Sequence, residues 1–364
     1  MTRKPFLLFL FFLLCMGLTP SPEAFGQVPS RTVLIEEFTG EWCGWCPTGM
    51  MELEEMIAKY GDTIIVVAVH TSDPLESPSA SAMIGAWANF APSALINRVY
   101  DTILGAQVFQ TGDWDEVIAR QIDTPPVCDV QLNYGYNPSS RLLTAEVKAI
   151  FTENYIGDGR LNLYIVEDSV AGNAQHNYLS GDPQFIGTPF YALPDPIPGF
   201  IHEHVLREMV GESYGIDGII PDTVTAGQEF SYSFTYTIPA GYNLGHLHLI
   251  GLVQQYKGLK KYRKILNSVH YKFDPAITGQ GNSAVFEKIS IGPNPVCDQV
   301  TIRSGSNEIL ESVELYSLHG KLISANYPEN NEIHLQVNEI DPQTCILVIR
   351  TATGVFHKKL IISK

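Results

Sequence analysis

One stretch limits what this chain can fold into more than any other. Val33-Leu34-Ile35-Glu36-Glu37-Phe38-Thr39 is an apolar, β-rich strand, and it runs through Gly40, Glu41 and Trp42 into Cys43-Gly44-Trp45-Cys46-Pro47. A helix-patterned segment, Gly49 to Tyr60, follows at once. Its Met50, Met51, Leu53, Met56 and Ile57 recur at helical spacing, with Glu52, Glu54, Glu55 and Lys59 between them. Two cysteines separated by two residues therefore fall where a strand ends and a helix begins. Unpaired backbone N–H groups and the positive end of the helix dipole stabilise a thiolate there. A reactive thiol is built in such a place.

The start of the chain reads as a secretory leader. Arg3 and Lys4 precede an apolar run from Phe6 to Leu18, and Ala24 and Gly26 supply small residues before Gln27. The leader is expected to cover 1–26. Its run is too short to span a bilayer and no second one follows, so no transmembrane helix is expected in the mature chain. Cys15 lies inside the run behind the bulky Leu14, which argues against a lipid-attachment site. The exported chain keeps Cys43, Cys46, Cys128, Cys297 and Cys345, an odd number, so at least one thiol stays unpaired in an oxidising compartment. Lys and Arg number 23 against 39 Asp and Glu, a formal charge of −16. That balance repels phosphate backbones and anionic surfaces, and nucleic acid is not an expected partner.

The chain taken in order changes rhythm twice. Thr63 to Val69 is a near-continuous apolar run suited to a strand covered on both faces. A helix is expected over 77–89, a strand after Pro92, and a helix from Trp114 to Ile122 with Asp113 as its N-cap. This α/β pattern is assigned to residues 27–124. Past Thr124-Pro125-Pro126 come short alternating runs at 128–134, 142–151, 161–166, 229–238, 246–255 and 268–273, read as a β-sandwich over 125–273. Inside it lies a long loop, 178–200, carrying five prolines; its role stays open. Residues 274–287 read as a linker and 288–364 as a small all-β module.

The opening stretch resembles the thioredoxin fold. Glu37 falls six residues before Cys43, at the position of the buried acid beneath the disulfide in that fold, and Pro92 matches its cis proline facing the cysteine pair. Gly44-Trp45 replaces the commoner Gly-Pro between the cysteines. Residues 31–273 are more closely similar to the Omp28-related outer membrane protein family, through Leu34 to Gly40, Cys43, Cys46-Pro47, Asn97-Arg98 and His204-Val205-Leu206-Arg207. That resemblance implies a thioredoxin-like domain followed by a β-sandwich. Residues 288–364 resemble the C-terminal sorting domain of type IX secretion, through Pro293-Asn294-Pro295, Leu315 to Ile323, and Gly354-Val355 with Lys358 to Ile361. It implies that the secretion machinery is a partner and that the protein reaches the outer membrane surface or is secreted.

Two functions from different classes follow. In the first, Cys43 attacks a protein disulfide, Cys46 resolves the mixed disulfide, and Glu37 exchanges the proton of Cys46. Pro92 and the Ala91 backbone would dock an extended substrate, and Trp42 and Trp45 would form an apolar rim. Protein thiols and disulfides are then the substrates, with no cofactor. In the second, Cys43–Cys46 is a structural disulfide in a binding or adhesion protein. A structural zinc site needs four ligands and no second Cys-x-x-Cys exists, so no metal is expected. His202 with His204, and His246 with His248, each share a strand face but lack a third ligand in the sequence.

Overall fold

The first strand, β1 (Val33–Thr39), is buried along its whole length. The computed structural model describes residues 31–277, 289–304, 309–317, 321–351 and 354–363. The expected leader and most of the expected linker lie outside them. Chain order continues with α1 (Cys46–Tyr60), β2 (Ile64–His70), α2 (Ser81–Trp87), β3 (Ser93–Ile96), β4 (Val108–Gln110) and α3 (Trp114–Ile122). β2 runs parallel to β1 from Val33↔Ile64 to Thr39↔His70, with α1 as the crossover. β3 returns antiparallel on the other side of β1, and β4 pairs with β3.

The two-residue period of β1 divides two cores. Val33 and Ile35 pack with Leu53, Met56, Trp114, Val117 and Ile118 of α1 and α3. Leu34 and Phe38 pack on the other face with Met83 and Trp87 of α2. The adjacent acids Glu36 and Glu37 are thereby sent to opposite faces, both almost fully buried.

The later strands are β5 (Cys128–Asn137), β6 (Leu142–Phe151), β7 (Tyr155–Ile156), β8 (Asp158–Glu167), β9 (Val170–Ala171), β10 (Ile201–His202), β11 (Val205–Met209), β12 (Thr223–Val224), β13 (Glu229–Thr237), β14 (Leu247–Tyr256) and β15 (Lys264–Lys272). β13, β6 and β5 form a three-stranded antiparallel sheet. It packs on β8 and β14 around Leu132, Val147, Leu163, Ile165, Leu249 and Val253. A two-layered β arrangement is therefore present. One of its layers is shared with the start of the chain: β15, β14, β8 and β11 continue through β2 into β1, β3 and β4 as one eight-stranded sheet. The join is Val205↔Ala68. β8 is consequently covered twice, with Leu161, Leu163 and Ile165 on one core and Tyr164 and Val166 on the other.

The C-terminal module holds β16 (Ile289–Gly292), β17 (Gln299–Ser304), β18 (Leu310–Ser317), β19 (Leu322–Asn326), β20 (Glu332–Gln336), β21 (Gln343–Thr351) and β22 (Gly354–Ile362). They form a three-stranded and a four-stranded sheet around Val300, Ile302, Val313, Leu315, Leu347 and Ile349. Cys345 is buried in that core and Cys297 is exposed; both are free thiols, as is the buried Cys128.

Candidate functional site

Cys43 and Cys46 form a disulfide with Cα atoms 5.4 Å apart. Cys46 is the first residue of α1, so the pair sits at the helix N-terminus, as its spacing predicts. Cys46 is fully buried and Cys43 is 4% exposed. Behind them the helix comes very close to the sheet at Gly49. A Cβ at that position would lie 2.7 Å from Glu37 Oε1, 2.9 Å from Pro92 Cβ and 3.2 Å from the Trp114 ring. One helical turn after Cys46, then, Glu37, Pro92 and Trp114 converge on a residue that must have no side chain. Gly49 and Trp114 are site residues that sequence reasoning missed; a glycine inside a helical pattern was the available signal.

Glu37 Oε1 is buried without a hydrogen-bond partner. Burial pushes its carboxyl up to about 8, so it holds a proton at neutral pH. The sign of the resulting pH effect follows from the folded value lying above the unfolded one of 4.5. Below about 4.5 both states are protonated. Between about 4.5 and 8 only the unfolded chain releases the proton, so stability falls as pH rises, by up to about 1.4 kcal/mol per unit. Glu37→Gln is expected to remove that slope. Urea midpoints of both proteins, compared from pH 5 to 8, should converge at the acid end and diverge in favour of the variant toward pH 8. Parallel curves would refute the raised carboxyl.

The Ala91–Pro92 peptide is cis and leads into β3. Trp42 is 48% exposed, and its Nε1 donates to Thr71 O at 2.6 Å. Trp45 is 47% exposed and meets Tyr178 edge-on at 5.7 Å and Phe185 at 6.2 Å.

Those last two partners belong to the proline-rich loop, and the segment leading into it is laid across the cysteine pair. His176 N donates to Glu41 O and Tyr178 N to Gly44 O, each at 2.8 Å. Gln175, itself fully buried, directs Nε2 to Cys43 O at 3.0 Å and Gly40 O at 3.3 Å. Asn173 binds the Glu41 carboxylate through N and Nδ2, the latter at 2.8 Å. The Tyr178 ring lies against Gly44, where a Cβ would meet it at 2.3 Å. Residues 173–178 thus form a strap over the disulfide, added by two main-chain bonds in the manner of an extended peptide.

The histidines divide into two groups. His70 Nδ1 contacts Asp73 Oδ2 at 2.8 Å and stacks edge-on with His202 at 4.8 Å, both rings buried. Burial pushes His202 down to about 4, so it is neutral at physiological pH. Separately, Asp168 joins His204 at 3.2 Å and His248 at 2.9 Å, and His248 contacts His270 at 2.8 Å. The sequence pair His202/His204 is therefore split between the two groups, whereas His246 and His248 both meet Asp168, His248 at its carboxylate and His246 Nδ1 at its backbone O, 3.2 Å away. Among the described residues no group of three His, Cys, Asp or Glu is arranged to hold a metal ion.

Comparison with known proteins gives two family matches. The family described as outer membrane protein Omp28 matches residues 81–273, beginning after the disulfide. A secretion system C-terminal sorting domain matches residues 290–363. No curated protein matches the chain. Among solved structures, HBP35 of Porphyromonas gingivalis is 15% identical with a TM-score of 0.50, over 92% of this chain and 99% of that one. A domain of the outer membrane lipoprotein Omp28 from the same organism is 14% identical, covering 42% of this chain and 93% of its own, with a TM-score of 0.25. A protein from Agrobacterium tumefaciens is 12% identical, covering 70% and 98%, with a TM-score of 0.38. Among the described residues no helix is long and apolar enough to cross a membrane. The sorting domain implies the type IX secretion machinery as a partner, and the protein is exported to the cell surface. With more than half its length matched, the chain belongs to the Omp28 outer membrane protein family.

Proposed function

We propose that this surface protein is a thiol–disulfide exchange protein whose thioredoxin-like unit, within residues 27–124, works through Cys43 and Cys46. The observation that carries the reading is the convergence at Gly49: Glu37 and Pro92 both abut the first turn of the helix that Cys46 begins. In the oxidising direction a substrate thiolate attacks Cys43 Sγ and the Cys43–Cys46 bond breaks. Cys46 leaves as a thiolate and takes the Glu37 proton. A second substrate thiolate then attacks the substrate sulfur of the mixed disulfide and releases Cys43. The substrate is oxidised by two electrons and the pair is reduced. In the reducing direction the same steps run backwards, with Cys43 as attacking sulfur. Ala91, Pro92, Trp42 and Trp45 would line the path of an extended substrate.

Turnover is tested with the chain from residue 27 onward in insulin-reduction and scrambled-ribonuclease assays. Wild type is expected to be active in at least one assay and Cys43→Ser in neither. Equal activity of the two proteins would end the proposal. The strap favours a second reading, in which a buried structural disulfide stabilises a binding or adhesion protein. A Cys43–Cys46 potential below roughly −300 mV would decide for it, because structural disulfides typically lie there.

A further inference from the structure

In a chain of net charge −16, residues 230–273 contain no Asp or Glu at all and six Lys or Arg. Five of those six, Lys257, Lys260, Lys261, Arg263 and Lys264, fall within eight residues, in the hairpin that joins β14 to β15. Every residue from Lys257 to Tyr262 is exposed. Among the described residues no carboxylate lies within ion-pair distance of these five cations. Two large apolar side chains stand out among them, Leu259 at 64% exposed and Tyr262 at 49%.

The hairpin is anchored to its surroundings. Gln107 Nε2 donates to Lys260 O and Arg263 O, both at 3.1 Å, and Lys260 Nζ reaches Ala86 O at 2.6 Å. Arg263 Nε donates to Lys257 O at 2.8 Å, and its guanidinium lies over Tyr214 and Tyr256 at 4.6 and 4.5 Å. The cations are therefore presented by a preformed loop, so little ordering cost attaches to binding through it. At physiological ionic strength charges beyond about 8 Å are largely screened, so the local excess of positive charge outweighs the distant negative total.

We propose that this hairpin docks the protein on a lipid surface bearing phosphate headgroups. Lysines around exposed Leu259 and Tyr262 form an amphipathic tip, in which the apolar groups enter the headgroup boundary while the ammonium groups meet phosphates. A soluble anion would use the charges but leave the apolar pair without a role. Ile265 N donates to Asn97 O, and Asn97 Oδ1 accepts from Leu34 N, so the hairpin base adjoins the start of β1. Cys43 follows the opposite end of that strand. Docking by the hairpin would leave the disulfide end facing away from the lipid.

The test is vesicle co-sedimentation of the chain from residue 27 onward, which excludes the leader. Partition onto vesicles of phosphatidylcholine with one third phosphatidylglycerol is expected, with none onto phosphatidylcholine alone. A Lys257→Gln/Lys261→Gln/Leu259→Ser variant, verified by an unchanged thermal melt, should partition about 30-fold or more weakly. Raising salt to 0.5 M should release the wild type. Absent or composition-independent binding, or a variant that binds as well as the wild type, would overturn the proposal. So would full release by inorganic phosphate at matched ionic strength, which would mark a free-anion site, or release by an added acidic protein, which would mark a protein partner.

Discussion

Replacing Arg98 with methionine is expected to destabilise the protein by about 3–5 kcal/mol, read as a lower urea midpoint at unchanged slope. Arg98 is 1% exposed and follows β3 in a turn where both it and Asn97 have positive φ. All five of its N–H donors are used. Nε and Nη2 bind the Glu36 oxygens at 2.6 Å each, and Nη2 also reaches Tyr164 Oη at 2.7 Å. Nη1 donates to Gln254 Oε1 at 2.9 Å and Ser213 O at 3.3 Å. The partners come from β1, β8, β14 and the segment after β11, so one side chain ties the early α/β strands to the later β strands. Removing it leaves a buried carboxylate without its counter-charge, which costs more than the pair itself contributes. The double variant Glu36→Gln/Arg98→Met should therefore be less destabilised than Arg98→Met alone. A single-variant loss below about 1 kcal/mol would show that Glu36 finds another partner.

What the sequence carried and what it hid divide along contact distance. The strand–Cys-x-x-Cys–helix order, the burial of β2 and the placement of α3 at Trp114–Ile122 are local patterns, and the structure has them. The alternating runs after residue 125 mark strands: the run at 142–151 coincides with β6, and the other five match strands at one or both ends only to within a few residues. Which sheet each strand joins was hidden, because Val205↔Ala68 pairs residues 137 positions apart. Residues 27–124 and 125–273 were expected as separate units, and the eight-stranded sheet draws strands from both. The two adjacent acids illustrate the same limit. Glu36-Glu37 reads as one polar pair, yet the period of a doubly covered strand gives Glu36 an arginine and leaves Glu37 in an apolar interface. The proline-rich loop was legible as a loop and no further. The target of the strap that leads into it, the backbone of Gly40 to Gly44, carries no side-chain signal that a pattern could detect.

Loosening the 173–178 strap is expected to speed reduction of the disulfide by dithiothreitol about 100-fold in a Gln175→Ala/Tyr178→Ala variant. The Gln175 side chain supplies two bonds from the strap to the motif, to Gly40 O and Cys43 O, each contributing about 1 kcal/mol net. The Tyr178 ring, packed on Gly44 and edge-on to Trp45, contributes about 0.5–1.5 kcal/mol more. Together they account for about 3 kcal/mol of the closed state, or two powers of ten in the open fraction at 1.36 kcal/mol per decade. The main-chain bonds from His176 and Tyr178 remain in the variant, so the strap is weakened rather than lost. Cys43, 4% exposed beneath the closed strap, offers an attacking thiolate almost no path, and the open fraction therefore sets the rate. Stopped-flow reduction at fixed pH measures it, with a urea melt to confirm that the fold persists. A rate unchanged by the two substitutions would mean that thiols reach Cys43 by another path, and the strap would then be a structural brace without control over the disulfide.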